Sequence, residues 1–278
     1  MSNLHIYFET GAIGDTCFNL CRANIAMEHE GHDATIVHTS PIFKTNGYVI
    51  KTNPNVAKIL SKCNFIKSVE YDIDYNIKES FSYSKKYQQN IKQPMLTRED
   101  NDLKSWIDLT EFLPPCEEKE KIAVFQPISL IQKPKQYLND YIPVWDRCIR
   151  LLHEKKYKIY MVGAENDPID LCIKPATQKL TINMLGKWSL LQSLSFTMYK
   201  ADLIVSCDSW AAIWGPASKI QTFTAWGYRM ENDIDTWALG FLGNRQYYKF
   251  GWSSQKEYCD AYLAGCLSDY LAGQKNEV

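Results

Sequence analysis

Short, nearly unbroken apolar runs alternate along this chain with longer stretches in which apolar residues return every three or four positions. The two rhythms predict strands buried in parallel sheets and helices that cover them. Leu4 to Phe8 is the first strand, closed by Thr10-Gly11-Ala12-Ile13-Gly14-Asp15, a tight glycine loop. A helix follows from about Thr16 to Glu30 with Gly31 as its C-terminal cap, and Ala34 to His38 is the next strand. From Pro41 to Pro115 the signals weaken: Val56 to Leu60 reads as helix, Phe65 to Val69 as strand, and the polar, tyrosine-rich Tyr71 to Asn101 as an excursion containing a helix. Leu113-Pro114-Pro115 and the charged run Glu117 to Lys121 then break the pattern and mark a linker. Beyond it the alternation is clean. Strands are predicted at Ile122 to Gln126, Lys158 to Val162, Thr181 to Leu185, Leu203 to Cys207 and Gln221 to Ala225. Helices are predicted at Tyr141 to Lys155 behind Asp140 as cap, Ser189 to Tyr199, and Lys256 to Leu271. Alternating strand and helix in both halves argues for an α/β fold of two Rossmann-like domains facing across a cleft. The expected domains are residues 1–116 and 117–255, with 256–278 a final helix packing back on the first.

Composition narrows the class. With 278 residues the chain should bury roughly 75% of its unfolded surface without internal staples. Its nine cysteines are an odd number with no CxxC pair, and several sit inside apolar runs, as expected of reduced residues in a cytoplasmic protein. Cys17 and Cys21 stand four apart on a predicted helix, but no ligands at matching spacing accompany them, so no metal is expected. No stretch approaches the ~20 apolar residues of a transmembrane helix, and the first residues lack the features of a signal peptide. Thirty-one basic against thirty-two acidic side chains exert no global pull toward nucleic acid or membrane.

Two strand ends carry candidate chemistry. After Leu203 to Cys207 come Asp208 and Ser209, and Ser209 is placed to cap a helix opening at Ala211. Such a turn aims backbone N–H groups and a positive helix end at whatever lies beyond the carboxyl edge of the sheet, where a nucleotide pyrophosphate commonly binds. The glycine loop after the first strand invites comparison with the dinucleotide fingerprint, and the comparison fails. Only Gly11 and Gly14 are present, and His38 and Thr39 stand where an acidic residue should end the second strand. No nicotinamide or flavin cofactor is therefore expected. What the loop supplies is the carboxylate of Asp15, either a complement to the helix dipole or a base facing a cleft.

Taken in order, Gly11-Ala12-Ile13-Gly14-Asp15, Lys135-Gln136-Tyr137, Gly163-Ala164-Glu165, Gly186-Lys187-Trp188-Ser189-Leu190 and Val205-Ser206-Cys207-Asp208-Ser209 resemble glycosyltransferase family nine, the ADP-heptose heptosyltransferases. That resemblance implies the GT-B fold, with an acceptor-side first domain and a nucleotide-sugar second domain. It implies an inverting, metal-independent transfer from a nucleoside-diphosphate sugar to an acceptor hydroxyl, with no cofactor. Asp15 would be the general base, assisted by the loop of Gly11 and Gly14. Ser129 and Lys135, with Lys133 as the other candidate, would meet the donor phosphates, Glu165 the ribose, and the backbone at Asp208 and Ser209 the pyrophosphate; Lys187 joins the donor set.

The chain departs from the family at two places. A glycine normally follows the aspartate-serine pair, with histidine three positions later; here Trp210 and Ile213 stand there. A bulky Trp210 alters how closely a phosphate can approach. Two acceptors stay open: a cell-surface glycan such as lipopolysaccharide core, and a hydroxylated pyrimidine in duplex phage DNA, which the wealth of aromatic residues would suit. A non-catalytic GT-B domain that binds a nucleotide sugar or scaffolds a partner is the reading from another class, supported by the lost glycine and histidine.

Overall fold

The computed structural model describes residues 3–7, 13–31, 33–39, 42–45, 48–51, 53–71, 102–116, 120–128, 142–207, 209–225 and 256–273. The chain divides into two compact units, with the boundary between Glu111 and Phe112.

In the first unit, strands β1 (Asn3–Tyr7), β2 (Ala34–Thr39) and β5 (Ile66–Tyr71) form a parallel sheet in the order β1-β2-β5. Helix α1 (Ile13–Glu30) joins the first two. Its buried residues Ile13, Cys17, Leu20, Cys21 and Met27 return at helical spacing, so a continuous apolar stripe faces inward. Gly31, at φ +68°, ends it in the left-handed conformation that glycine adopts without penalty. The helix begins three residues before the expected Thr16, which places Gly14 and Asp15 in its first turn rather than in a loop. The weakly patterned stretch hides an antiparallel hairpin, β3 (Ile42–Thr45) with β4 (Tyr48–Lys51), too short to give a periodicity. Helix α2 (Asn55–Leu60) buries Val56, Ile59 and Leu60. The short α3 (Leu103–Trp106) is started by the Asp102 carboxylate accepting from Lys104 N–H at 3.1 Å, and sets Trp106 edge-on to Phe65. The predicted excursion from Tyr71 to Asn101 lies outside the described residues, apart from Tyr71 itself.

Among its described residues the second unit carries five parallel strands: β6 (Ile122–Gln126), β7 (Lys158–Met161), β8 (Ile182–Asn183), β9 (Leu203–Cys207) and β10 (Gln221–Ala225). Their order is β10-β9-β6-β7-β8, so the winding reverses between β6 and β9. β6 and β9 are buried along their whole length, as runs without polar alternation require of central strands. Helix α4 (Ile142–Glu154) presents Val144, Trp145, Cys148, Ile149 and Leu152 to one face of the sheet, where Trp145 meets Phe125 edge-on at 5.3 Å. Helices α6 (Leu190–Lys200) and α7 (Trp210–Ala217) supply Phe196 and Ala211 to the core on the other face. The short α5 (Pro175–Gln178) follows a lysine whose ammonium pairs with buried Asp146 of α4 at 3.2 Å. β8 is shorter than the expected strand: Met184 N–H still donates to Met161 C=O of β7 at 2.9 Å, and the chain then turns, with Lys187 N–H donating back to Met184 C=O at 3.1 Å. The final helix, α8 (Lys256–Gly273), contributes Leu263, Ala264, Leu267 and Leu271 to the core between α4 and the second unit's own sheet.

Candidate active site

In an open α/β sheet, ligands bind outside the carboxyl ends of the strands where the winding reverses. In the second unit that point lies between Gln126, the last residue of β6, and Cys207, the last of β9. Ser209 opens α7 just beyond. Its side chain makes no capping bond, contrary to the expectation. The hydroxyl donates to the Gln126 carbonyl Oε1 at 2.6 Å instead, tying the start of α7 to the neighbouring strand. The first-turn residues Ala211 and Ala212 are fully buried. Their amides face no partner inside the helix by construction, and no described backbone carbonyl outside it receives them.

A second pair of loops stands at the same edge. After β7, Gly163-Ala164-Glu165 is shaped by Asp167, whose carboxylate accepts from Ala164 N–H at 2.7 Å. A side chain on Gly163 would meet that carboxylate at 2.5 Å and Leu185 at 2.6 Å, so both side-chain ends would have to shift to admit it. After β8, Gly186 turns at φ +67° and donates to Gly163 C=O at 3.3 Å. The two loops therefore hold each other, and they present Glu165 and Lys187 to solvent. Below them Trp188 stacks on Tyr160 at 5.6 Å and packs on Phe196, anchoring the second loop to the sheet. Neighbouring strands lie about 4.8 Å apart, so the β7 loop stands roughly 10 Å from the end of β9. That span is suited to a nucleotide lying across the edge.

The sequence candidates are thus placed unevenly. Glu165, Lys187 and Ser209 lie on the loops of this one edge. Asp15 is the third residue of α1 in the first unit, its backbone described and its side chain not, and Gly14 precedes it in that turn. Gly11, Ser129, Lys133, Lys135 and Asp208 lie outside the described residues. Trp210 is partly buried and packs with Leu113 and Cys116 against the core of Val124, Tyr160 and Ile204, and Ile213 is buried. Two participants escaped the sequence reading. Gln126 was signalled only as a polar residue ending an apolar run, and Asp167 only as an aspartate three positions beyond Ala164.

No family model and no curated protein matches the chain. Solved structures do. The ADP-heptose LPS heptosyltransferase II of E. coli aligns over 99% of this chain and 99% of its own, with 11% identity and a TM-score of 0.61. The chain has the heptosyltransferase fold. The E. coli heptosyltransferase WaaC with ADP-2-deoxy-2-fluoro heptose aligns over 99% of this chain and 100% of its own (12% identity, TM-score 0.56). A family 9 glycosyl transferase from Veillonella parvula aligns over 92% and 87% (12% identity, TM-score 0.50). No described helix is long and apolar enough to cross a membrane.

Proposed function

We propose that the chain is an inverting, metal-independent glycosyltransferase that moves a sugar from a nucleoside-diphosphate sugar to the hydroxyl of a cell-surface glycan such as lipopolysaccharide core. The observation that carries this reading is the buried, side-chain-uncapped start of α7 at the point where the sheet's winding reverses. Uncapped first-turn amides and a positive helix end suit a diphosphate, and the structures that share the fold include one with ADP and one with an ADP-heptose analogue.

The roles follow from the chemistry. The acceptor oxygen attacks the anomeric carbon from the face opposite the diphosphate, the bond from that carbon to the phosphate oxygen breaks, and the electron pair leaves with the diphosphate. Asp15 takes the acceptor's proton. Ser129, Lys133, Lys135 and the amides at Asp208 and Ser209 stabilise the leaving charge, a task that lysines and a helix end perform without a metal. Glu165 accepts from the ribose, and Lys187 lies beside it as a further cation. Residues 1–116 form the acceptor-side domain and 117–255 the donor domain on this reading. Trp210 supports catalysis rather than a lost site, because its ring packs on the unit's own core and has a place other than the phosphate path.

Release of nucleoside diphosphate from a panel of donors tests the proposal, each assayed alone, with a core oligosaccharide, and with duplex DNA carrying hydroxymethylated pyrimidines. Release stimulated by the oligosaccharide is the expected result. Stimulation by DNA alone would move the acceptor to the modified base, and donor binding without any release would make the chain a binding module. Neither binding nor release would overturn the proposal.

A further inference from the structure

The loop after β7 places its two acidic residues differently. Ala164 to Asp167 is a β-turn: the Asp167 N–H donates to Ala164 C=O at 3.1 Å, which leaves Glu165 and Asn166 at the corners, both exposed. Asp167 closes the same turn a second time, because its carboxylate reaches back to accept from Ala164 N–H at 2.7 Å. It is half-buried and lies against Gly163, where an added methyl would stand 2.5 Å from its Oδ2.

Asp167 is itself tied to the core. Pro168 follows it and disfavours the helical conformation at Asp167, and Ile169, a core residue, donates its N–H to Asp167 C=O at 2.8 Å. From the β8 loop, Gly186 donates to Gly163 C=O at 3.3 Å, and a methyl on Gly186 would stand 2.8 Å from the Glu165 Cα. The Glu165 backbone thus sits between a turn that Asp167 closes and a glycine that leaves room for nothing more. Exposed loop tips are ordinarily the loosest parts of a chain. A corner held from two sides is what a residue needs if its side chain is to meet a ligand in one geometry.

We propose that Asp167 is a positioning residue for the donor's ribose. It does not meet the nucleotide, since its carboxylate is engaged with Ala164 in the turn; by holding Ala164 it aims Glu165 at the ribose diol. The site then selects ribonucleotides over deoxyribonucleotides with two carboxylates, one that binds and one that braces. This rests on the ribose contact of Glu165 proposed above.

The test takes whichever of ADP, GDP, CDP and UDP binds the wild type most tightly, together with its dideoxy counterpart lacking both ribose hydroxyls, and measures the two affinities by calorimetry. Wild type is expected to prefer the ribonucleotide about 10- to 100-fold, as for hydrogen bonds to a charged group. Asp167→Ala is expected to lose most of that preference by weakening the ribonucleotide alone. Asp167→Asn keeps an oxygen for Ala164 N–H and is expected to retain it. Joining Asp167→Ala to Glu165→Gln is expected to cost no more than Glu165→Gln alone, because both changes remove the same contact. Asp167→Val, close in size and without an acceptor, takes the place of the alanine variant if that one does not fold. Both nucleotides weakened alike, or losses that add in the double variant, mean a merely structural role and overturn the proposal. So does a full preference in Asp167→Ala, and so does an asparagine variant as poor as the alanine one, since the ligand would then be sensing the charge itself. In those cases a loss of preference in Glu165→Gln still upholds the ribose contact. A wild type without preference, or a Glu165→Gln variant that keeps it, sinks the ribose contact and the proposal with it.

Discussion

Replacing Gly186 by alanine tests whether the two loops at the edge of the second sheet hold each other as described. The new methyl would lie 2.5 Å from Glu165 Cβ and 2.8 Å from its Cα, and a backbone atom cannot swing aside as the end of a side chain can. The residue also sits at φ +67°, which costs an alanine roughly 1–2 kcal/mol. Overpacking adds roughly 1–3 kcal/mol, for a total of roughly 2–5 kcal/mol. Gly31→Ala is the natural control, because φ there is +68° and nothing lies within 4 Å of the added methyl. That variant should lose only the conformational part, so the excess at Gly186 isolates the contact. By calorimetry, Gly186→Ala should lower the melting temperature of its unit by roughly 4–20 °C, taking roughly 2–4 °C per kcal/mol for a unit of this size. The variant should also weaken nucleotide binding, since the only escape from the contact pushes Glu165 out of place. If Gly186→Ala proves no more harmful than Gly31→Ala, the loops do not pack as described and Glu165 is not held where the donor reading needs it.

Asp15→Asn should cut turnover roughly 10²–10⁴-fold while donor affinity stays near wild type, as measured by steady-state kinetics and calorimetry; a loss of about 0.3–1 kcal/mol in stability with full turnover would make Asp15 a helix-dipole partner only. Lys135→Ala should weaken nucleoside diphosphate binding by about 1.5–3 kcal/mol and Glu165→Gln should weaken it in the same sense, with melting temperatures unchanged. Burial pushes the Cys63 and Cys172 thiols up to about 12, so neither should react with a thiol reagent at pH 8 in the folded chain. A folded value above the unfolded one contributes stability that is complete below the unfolded thiol's pKa of about 8.5 and is lost as pH climbs toward 12; the urea midpoint should fall between those limits, less so in Cys63→Ala and Cys172→Ala.

Parallel strands were readable because a central strand is apolar on both faces and a covering helix on one. Leu203 to Cys207 and the 144, 145, 148, 149, 152 spacing of α4 state their burial outright. The β3-β4 hairpin has four-residue strands that give no rhythm, and its one strong sign in the sequence is the Asn46-Gly47 pair between them. The start of α1 was misjudged because Gly14 reads as a loop residue while the buried Ile13 belongs to the helical stripe. At the site, Glu165, Lys187 and Ser209 could be found from short motifs that end strands. Gln126 could not. Its role depends on which strands are neighbours, and the pairing of β6 with β9 is a long-range fact that local sequence does not hold. The same holds for α8, whose apolar residues promise burial without saying against what.

A structure of the chain with a nucleoside diphosphate bound tests the central claim most directly. The account predicts the diphosphate within about 3 Å of the backbone amides at the start of α7, and the ribose hydroxyls beside Glu165. Nucleotide density anywhere other than the carboxyl edge formed by β6, β7 and β9, with those amides left untouched, would contradict it.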